Sequence, residues 1–243
     1  MGLEHLIIVL CAALLPPFLL LRMVYRMDRV EPEPRPLLIR LFVWGVLCAL
    51  PVMVLELWGQ DVAEQFRGSR ALYLFLSYFM IPGFIEEGMK YAALRRLTWR
   101  DPAFNYKFDA VVYAVFASLG FAAIENVLYV FDYGVGVAVT RAVMAIPAHA
   151  TFGVIMGAGY AQAKCLAMRG DLPAAKTHGA SAWLIAAIAH GAYDYILMVY
   201  GGAVFAVYFI ALVVVGVALA KSCAKNDAPV DPFVTDGEET DPQ

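Results

Sequence analysis

The chain has 243 residues, of which 62% are hydrophobic and only 16% charged, with a formal net charge of −3. A soluble domain holds roughly half its residues apolar, so this composition excludes an ordinary water-soluble fold. No basic patch with interleaved aromatics occurs, which argues against a nucleic-acid partner.

The apolar residues come in runs of about 20, the length that crosses a hydrocarbon core. In chain order they fall at 3–21, 38–58, 71–94, 110–131, 137–161, 179–200 and 202–220. The predicted fold is all-α: a polytopic transmembrane helix bundle of about seven spans, with residues 1–225 as a single membrane domain. The first run has Glu4 and His5 where a signal peptide has basic residues, and no small-residue cleavage site follows, so it reads as a retained helix. Leu6 stands where a myristoylation signal needs Ser or Thr. Cys11, Cys48, Cys165 and Cys223 are scattered without a CxxC pair, so neither a disulfide framework nor a zinc knuckle is indicated.

The connections alternate in basic content. Arg22, Arg26, Arg29, Arg35 and Arg40 follow span one; Arg95, Arg96, Arg100 and Lys107 follow span three. Lys164, Arg169 and Lys176 follow span five, and Lys221 and Lys225 end span seven. The other side holds Arg67 and Arg70, with Arg141 just inside span five. Basic residues stay on the cytoplasmic side, which predicts the N-terminus outside and the C-terminus inside. The inner connection "DRVEPEPRP" (28–36) is stiffened and extended by its prolines. Residues 226–243 are acidic and rich in Pro, Gly and Thr, and are predicted to be a disordered tail.

Against this background several polar residues lie inside the spans, where each ionisable group costs about 2.5–3.5 kcal/mol on insertion scales. Span three carries Glu86, Glu87 and Lys90. Lys90 is four residues past Glu86 and three past Glu87, so it reaches either, and one carboxylate is left without a local partner. Pro82, one turn earlier, frees the Tyr78 carbonyl and predicts a kink. Span four carries Glu125 beside Asn126 in "FAAIENVLY"; the pair serves equally as helix–helix glue or as part of a site. Span five carries Pro147 and His149, with Gly153 and Gly157 marking a close approach of a neighbouring helix or a bound peptide. Span six carries His190 and Asp194 at i, i+4, a spacing at which a carboxylate fixes an imidazole tautomer, with Gly191 thinning the helix beside them.

Counted from the inner ends of the runs, Glu86 lies about 12 Å deep, His190 about 16 Å, His149 about 18 Å and Glu125 about 23 Å. This spread leaves Glu125 open as a more distant member. Glu86, Glu87, Glu125 and Asp194 face only Lys90 and, near the outer edge, Arg141. So many carboxylates with so few counter-charges cannot all ionise in a low-dielectric bundle. An acid and a base enclosed in one dry pocket is the arrangement of general acid–base chemistry.

The set "EEGMK", "FAAIENVLY", "HATFG" and "HGAYD", with the earlier "DRVEPEP", resembles the PrsW family of intramembrane proteases, relatives of the CAAX-prenyl endopeptidases and bacteriocin-processing proteins. The resemblance spans about residues 25–200. It implies a bundle of helices in a bacterial inner membrane, no required cofactor, and cleavage of a single-pass membrane protein, typically an anti-sigma factor in stress signalling. By the same resemblance Glu86 activates the attacking water and Glu87 pairs with Lys90. His149 is the additional histidine of the family. His190, with Asp194, donates to the developing oxyanion or the leaving amine. Glu125 stands where the CAAX-type relatives carry a histidine, which leaves three roles open: second acid, water ligand or shaper of the site.

Three other readings compete. Glu86, His149 and His190 would make a His₂Glu site for a divalent metal such as zinc, although no HExxH pattern is present. Buried acids and histidines also serve as proton relays in transporters, but the inverted symmetry common there is missing. The same cluster, with its glycines, would also suit a non-catalytic binder of membrane segments.

Overall fold

A computed structural model of the chain describes residues 3–232. The helices are α1 (Leu3–Tyr25), α2 (Arg35–Glu64), α3 (Arg70–Phe75), α4 (Ile81–Thr98), α5 (Lys107–Tyr133), α6 (Val135–Val143), α7 (Ala145–Met168), α8 (Leu172–Val199) and α9 (Gly202–Lys225). A π-helical turn, Leu76–Met80, joins α3 to α4. Among the described residues the only strand-like pairing is an isolated bridge between Tyr106 and Pro229.

The all-α membrane bundle predicted from hydropathy is the observed fold. Among the described residues, five segments are long and apolar enough to cross a membrane: α2, α5, the α6–α7 stretch from Gly136, α8 and α9. The predicted first span falls in α1, Leu3–Tyr25. The predicted third span is one helical stretch, 70–98, interrupted by the π turn.

The chain is irregular near both Pro82 and Pro147. Before Pro82 the chain widens by a residue: the Ile81 amide donates to Leu76 O, five residues back. Pro82 follows in the first turn of α4, and the Ser77 carbonyl five residues before it accepts instead from Gln60 Nε2 at 3.1 Å. Span five breaks at Met144, with φ −114 and ψ −65, three residues before Pro147.

Two boundaries differ from expectation. The inner connection predicted over 162–178 is helical except at 169–171, because α7 and α8 run on beyond their apolar stretches. Hydropathy marks only the part of a helix in the bilayer; backbone bonding continues until a cap stops it. Here Asp171 is that cap, its side chain accepting from the Ala174 amide at 3.0 Å. The tail predicted to be disordered from Asn226 is instead tied down at its start. Asp227 accepts from the Phe108 amide at 2.9 Å, Val230 N donates to Asn105 O at 2.7 Å, and Val230 is buried. Residues 233–243 of that tail lie outside the described residues.

The α5 helix is the axis of the bundle. It packs on α7, α2, α1 and α4, and from Phe108 to Ala123 nearly every residue is buried. A helix apolar on all sides is suited to that central position. The peripheral α2 and α9 expose Leu50, Val54 and Leu57, and Val207, Ile210 and Val214. Such surfaces face lipid, where an exposed aliphatic side chain carries no hydration cost.

Small residues set how closely the helices approach. A methyl at Gly157 would meet Val111 Cα at 2.5 Å, so α7 lies directly on α5. A methyl at Gly83 would meet Ala187 O at 2.5 Å, and one at Gly191 would strike the Phe79 carbonyl, so α8 lies on α4 and the π turn. Gly153 faces Val115 of α5. The partner at these glycines is a neighbouring helix, and no room for a bound peptide is left along them. Gly157→Ala and Gly191→Ala are therefore expected to destabilise the bundle by about 1–3 kcal/mol or more, as overpacking does. Gly136→Ala, with nothing within 4 Å, should leave the thermal midpoint in detergent unchanged; equal midpoints for all three variants would refute the packing argument.

Candidate active site

Four helices deliver the polar residues singled out from sequence. Glu86, Glu87 and Lys90 project from α4, Glu125 from α5, His149 from α7, and His190 and Asp194 from α8. Lys90 is the hub and is 1% exposed. Its Nζ lies 2.7 Å from Glu87 Oε1, 2.9 Å from Glu86 Oε2 and 3.2 Å from His149 Nδ1, and 4.2 Å above the Phe121 ring. An ammonium has only protons to offer, so His149 Nδ1 accepts. The imidazole proton is then on Nε2, which donates to Glu125 Oε2 at 3.0 Å.

His190 is held at both ring nitrogens. Nδ1 lies 2.9 Å from Glu87 Oε1, and Nε2 lies 3.3 Å from Asp194 Oδ2. Phe152, three residues past His149, stacks on the His190 ring at 4.7 Å with 17° between planes. The two histidine rings meet edge to face at 5.2 Å. The i, i+4 pairing of His190 with Asp194 was legible in the spacing; the bond to Glu87 was not, since it joins residues 103 apart.

These groups open on a cavity of ≈ 680 Å³, lined by Glu56, Glu86, Glu125, His149, His190 and Asp194 among others. Glu87 and Lys90 lie behind that wall, 0% and 1% exposed. Glu86 spends Oε2 on Lys90 and makes no further hydrogen bond, so Oε1 is available to the cavity. Glu125 belongs to the cluster rather than standing apart from it, although its counted depth set it farthest away. The counted offset came from the assumed inner ends: α7 runs on to Met168 and α8 begins at Leu172, beyond the apolar runs from which depth was counted.

Three placements depart from expectation. Asn126 does not face the cavity: it donates to Ala13 O at 2.7 Å and accepts from Arg141 Nε at 3.1 Å, tying α5 to α1 and α6. Arg141 is no edge residue; its Nη2 lies 2.8 Å from Glu125 Oε2 and its guanidinium 4.0 Å over the Tyr129 ring. Glu56 of α2 was missed altogether. It lines the cavity opposite Glu86, and its Oε1 is buried without a partner. The sequence signal was there, a lone acid in the apolar run "VLELWG" (54–59).

Glu86, Glu87, His149 and His190 each offer one ligand atom, and these atoms lie within 4.8 Å of one another. Two carboxylates and two imidazoles are donors of zinc type. Lys90, however, stands on the same atoms, with its ammonium within 3.2 Å of three of the four residues. A dication at that point would share its ligands with a buried ammonium. As arranged, the residues do not fit a metal at the centre of the cluster.

Comparison with known proteins gives the family. Residues 33–219 match the model of a family described as PrsW family intramembrane metalloprotease. The chain is 32% identical over 189 residues to Protease PrsW of Oceanobacillus iheyensis, covering 78% of this chain and 82% of that protein. It is 31% identical over 194 residues to Protease PrsW of Bacillus subtilis, covering 78% and 82%. With the protein of the same name from Halalkalibacterium halodurans it shares 36% over 155 residues. No solved structure matches the chain. The extent of these matches, over the helices that build the cavity, shows that the chain belongs to the PrsW family of intramembrane proteases.

Proposed function

We propose that this member of the family hydrolyses a peptide bond in a single-pass, membrane-anchored protein, with water activated by Glu86. The observation that carries the reading is the cavity itself: a carboxylate and two histidines on one wall, braced from behind by a buried Glu87–Lys90 pair. Amide hydrolysis needs a base for the water, a donor for the tetrahedral oxyanion and an acid for the leaving nitrogen. Glu86, with Oε1 open to the cavity, is the base. His190, fixed at Nδ1 by Glu87 and stacked on Phe152, turns its Nε2 proton from Asp194, 3.3 Å away, to the oxyanion or the departing amine. His149 and Glu125 form the third side, where Arg141 holds the carboxylate and Lys90 holds the imidazole tautomer. By the motif resemblance, the substrate is an anti-sigma factor. Cysteine chemistry has no place here: Cys48 is the cysteine nearest the cluster, and its Sγ is turned to Met89 O at 3.7 Å.

The family's description names a metal, whereas the motif resemblance implied no cofactor. The Lys90 geometry supports the metal-free reading, and no step is routed through an ion. Topology follows the basic residues, with the N-terminus outside and the C-terminus inside a bacterial inner membrane. In support of that orientation, the connections rich in Arg and Lys gather at one end, where Glu31 meets Asn105 and Lys164 meets the Trp99 carbonyl.

Glu86→Gln is expected to lower cleavage of a single-pass substrate in proteoliposomes by at least about a hundredfold, with the melting midpoint kept. Unaltered cleavage would sink the assignment. Exhaustive chelation should leave the wild-type rate intact; loss of rate that zinc alone restores would replace this reading with a metal-dependent one held by Glu86, His149 and His190. Lys90→Met strands two buried carboxylates and should cost about 3–5 kcal/mol of stability. Adding Glu87→Gln to it should recover part of that loss in thermal unfolding, and a double variant no more stable than the single one would contradict the brace.

A further inference from the structure

A second group of acids lies at the far end of α5 from the cavity. Asp28 follows α1, Glu33 precedes α2, and Asp109 is in the first turn of α5. One oxygen from each lies within 4.8 Å of the others. The three residues are 8%, 3% and 1% exposed. Asp109 is partly explained by capping, since its Oδ2 accepts from the Asn105 and Tyr106 amides at 3.0 and 2.6 Å. Glu33 accepts from the Tyr113 hydroxyl.

Asp28 has no such explanation. Both of its oxygens are buried and unbonded, although the Val30 and Glu31 amides are nearby. Among the described residues no Lys or Arg comes within ion-pair distance of any of the three. The charged neighbours Asp227 and Glu31 add further negative charge. Three buried carboxylates drawn together in this way call for a positive charge that the chain does not supply.

We propose that Asp28, Glu33 and Asp109 form a binding site for a hard divalent cation, of the magnesium or calcium kind. Carboxylate oxygens alone suit these ions and not zinc, which takes nitrogen and sulfur donors more readily. The ion ties the α1–α2 connection to the start of α5. Asp227, on the Phe108 amide, brings the segment after α9 into the same knot. The site is structural, because Asp109 and Glu125 are separated by about 24 Å along α5 at the helical rise. Without an ion, protons must balance the acids, and the cation takes their place.

The test uses the full chain in detergent, stripped of metal and titrated with Mn²⁺ under electron paramagnetic resonance. A bound Mn²⁺ signal is expected, displaced by Mg²⁺ or Ca²⁺, unchanged in Glu86→Gln and lost in Asp28→Asn and Glu33→Gln. Saturating Mg²⁺ or Ca²⁺ should raise the melting midpoint by roughly 5 °C. Iron-mediated cleavage of the wild-type chain places the ion without any variant, with cuts near 28–33 and 109. No Mn²⁺ binding and no rise in midpoint would mean that protons alone balance the acids. Loss of the signal in Glu86→Gln, or cuts confined to the neighbourhood of 86, 149 and 190, would put the ion in the cavity. Either result overturns the proposal.

Discussion

The buried ammonium of Lys90 is the contact on which the site and the bundle around it both depend. It stands between Glu86, Glu87 and His149, and over the face of Phe121, with almost no access to water. Two carboxylates on adjacent residues of one helix would be too costly to bury without it. With it, α4 can turn its most polar side inward against α5, α7 and α8. The same ammonium dictates the tautomer of His149 and, through Glu87, the orientation of His190. One cation therefore sets charge balance and ring geometry together. It also explains why a donor set of zinc type does not make a ready zinc site here.

A second pair, Glu125 with Arg141, repeats the arrangement on the other side of His149. The cluster of Glu56, Glu86, Glu87, Glu125 and Asp194 holds more acids than Lys90 and Arg141 can pair with. Close helix packing is what makes the convergence possible. Gly83, Gly157 and Gly191 let backbones touch, so short side chains such as Glu125 and His149 can reach across.

Much of this was legible in the residues. Apolar runs of membrane length marked the bundle, and Pro82 marked the π turn. The spacing of Glu86, Glu87 and Lys90, and of His190 and Asp194, marked contacts that the structure contains, but the expectation that one carboxylate would lack a local partner fails, because Lys90 bonds both. Helix boundaries were less legible at 162–178, because α7 and α8 continue past the bilayer. Glu56 was overlooked because a single acid in an apolar run has no local partner to draw attention to it. Arg141 looked peripheral for a similar reason: its partner Glu125 lies on another helix, 16 residues away.

Local order thus determined which segments are helices, where they bend, and which polar residues share a helical face, since backbone hydrogen bonding and side-chain period act over a few residues. Tertiary structure alone decided that Glu87 would hold a histidine 103 positions on, that Asn126 would turn to α1, and that Asp28, Glu33 and Asp109 would meet. Those outcomes depend on how helices are rotated and shifted against one another. That is settled by the packing of many small contacts across the bundle, and no short stretch of sequence contains it.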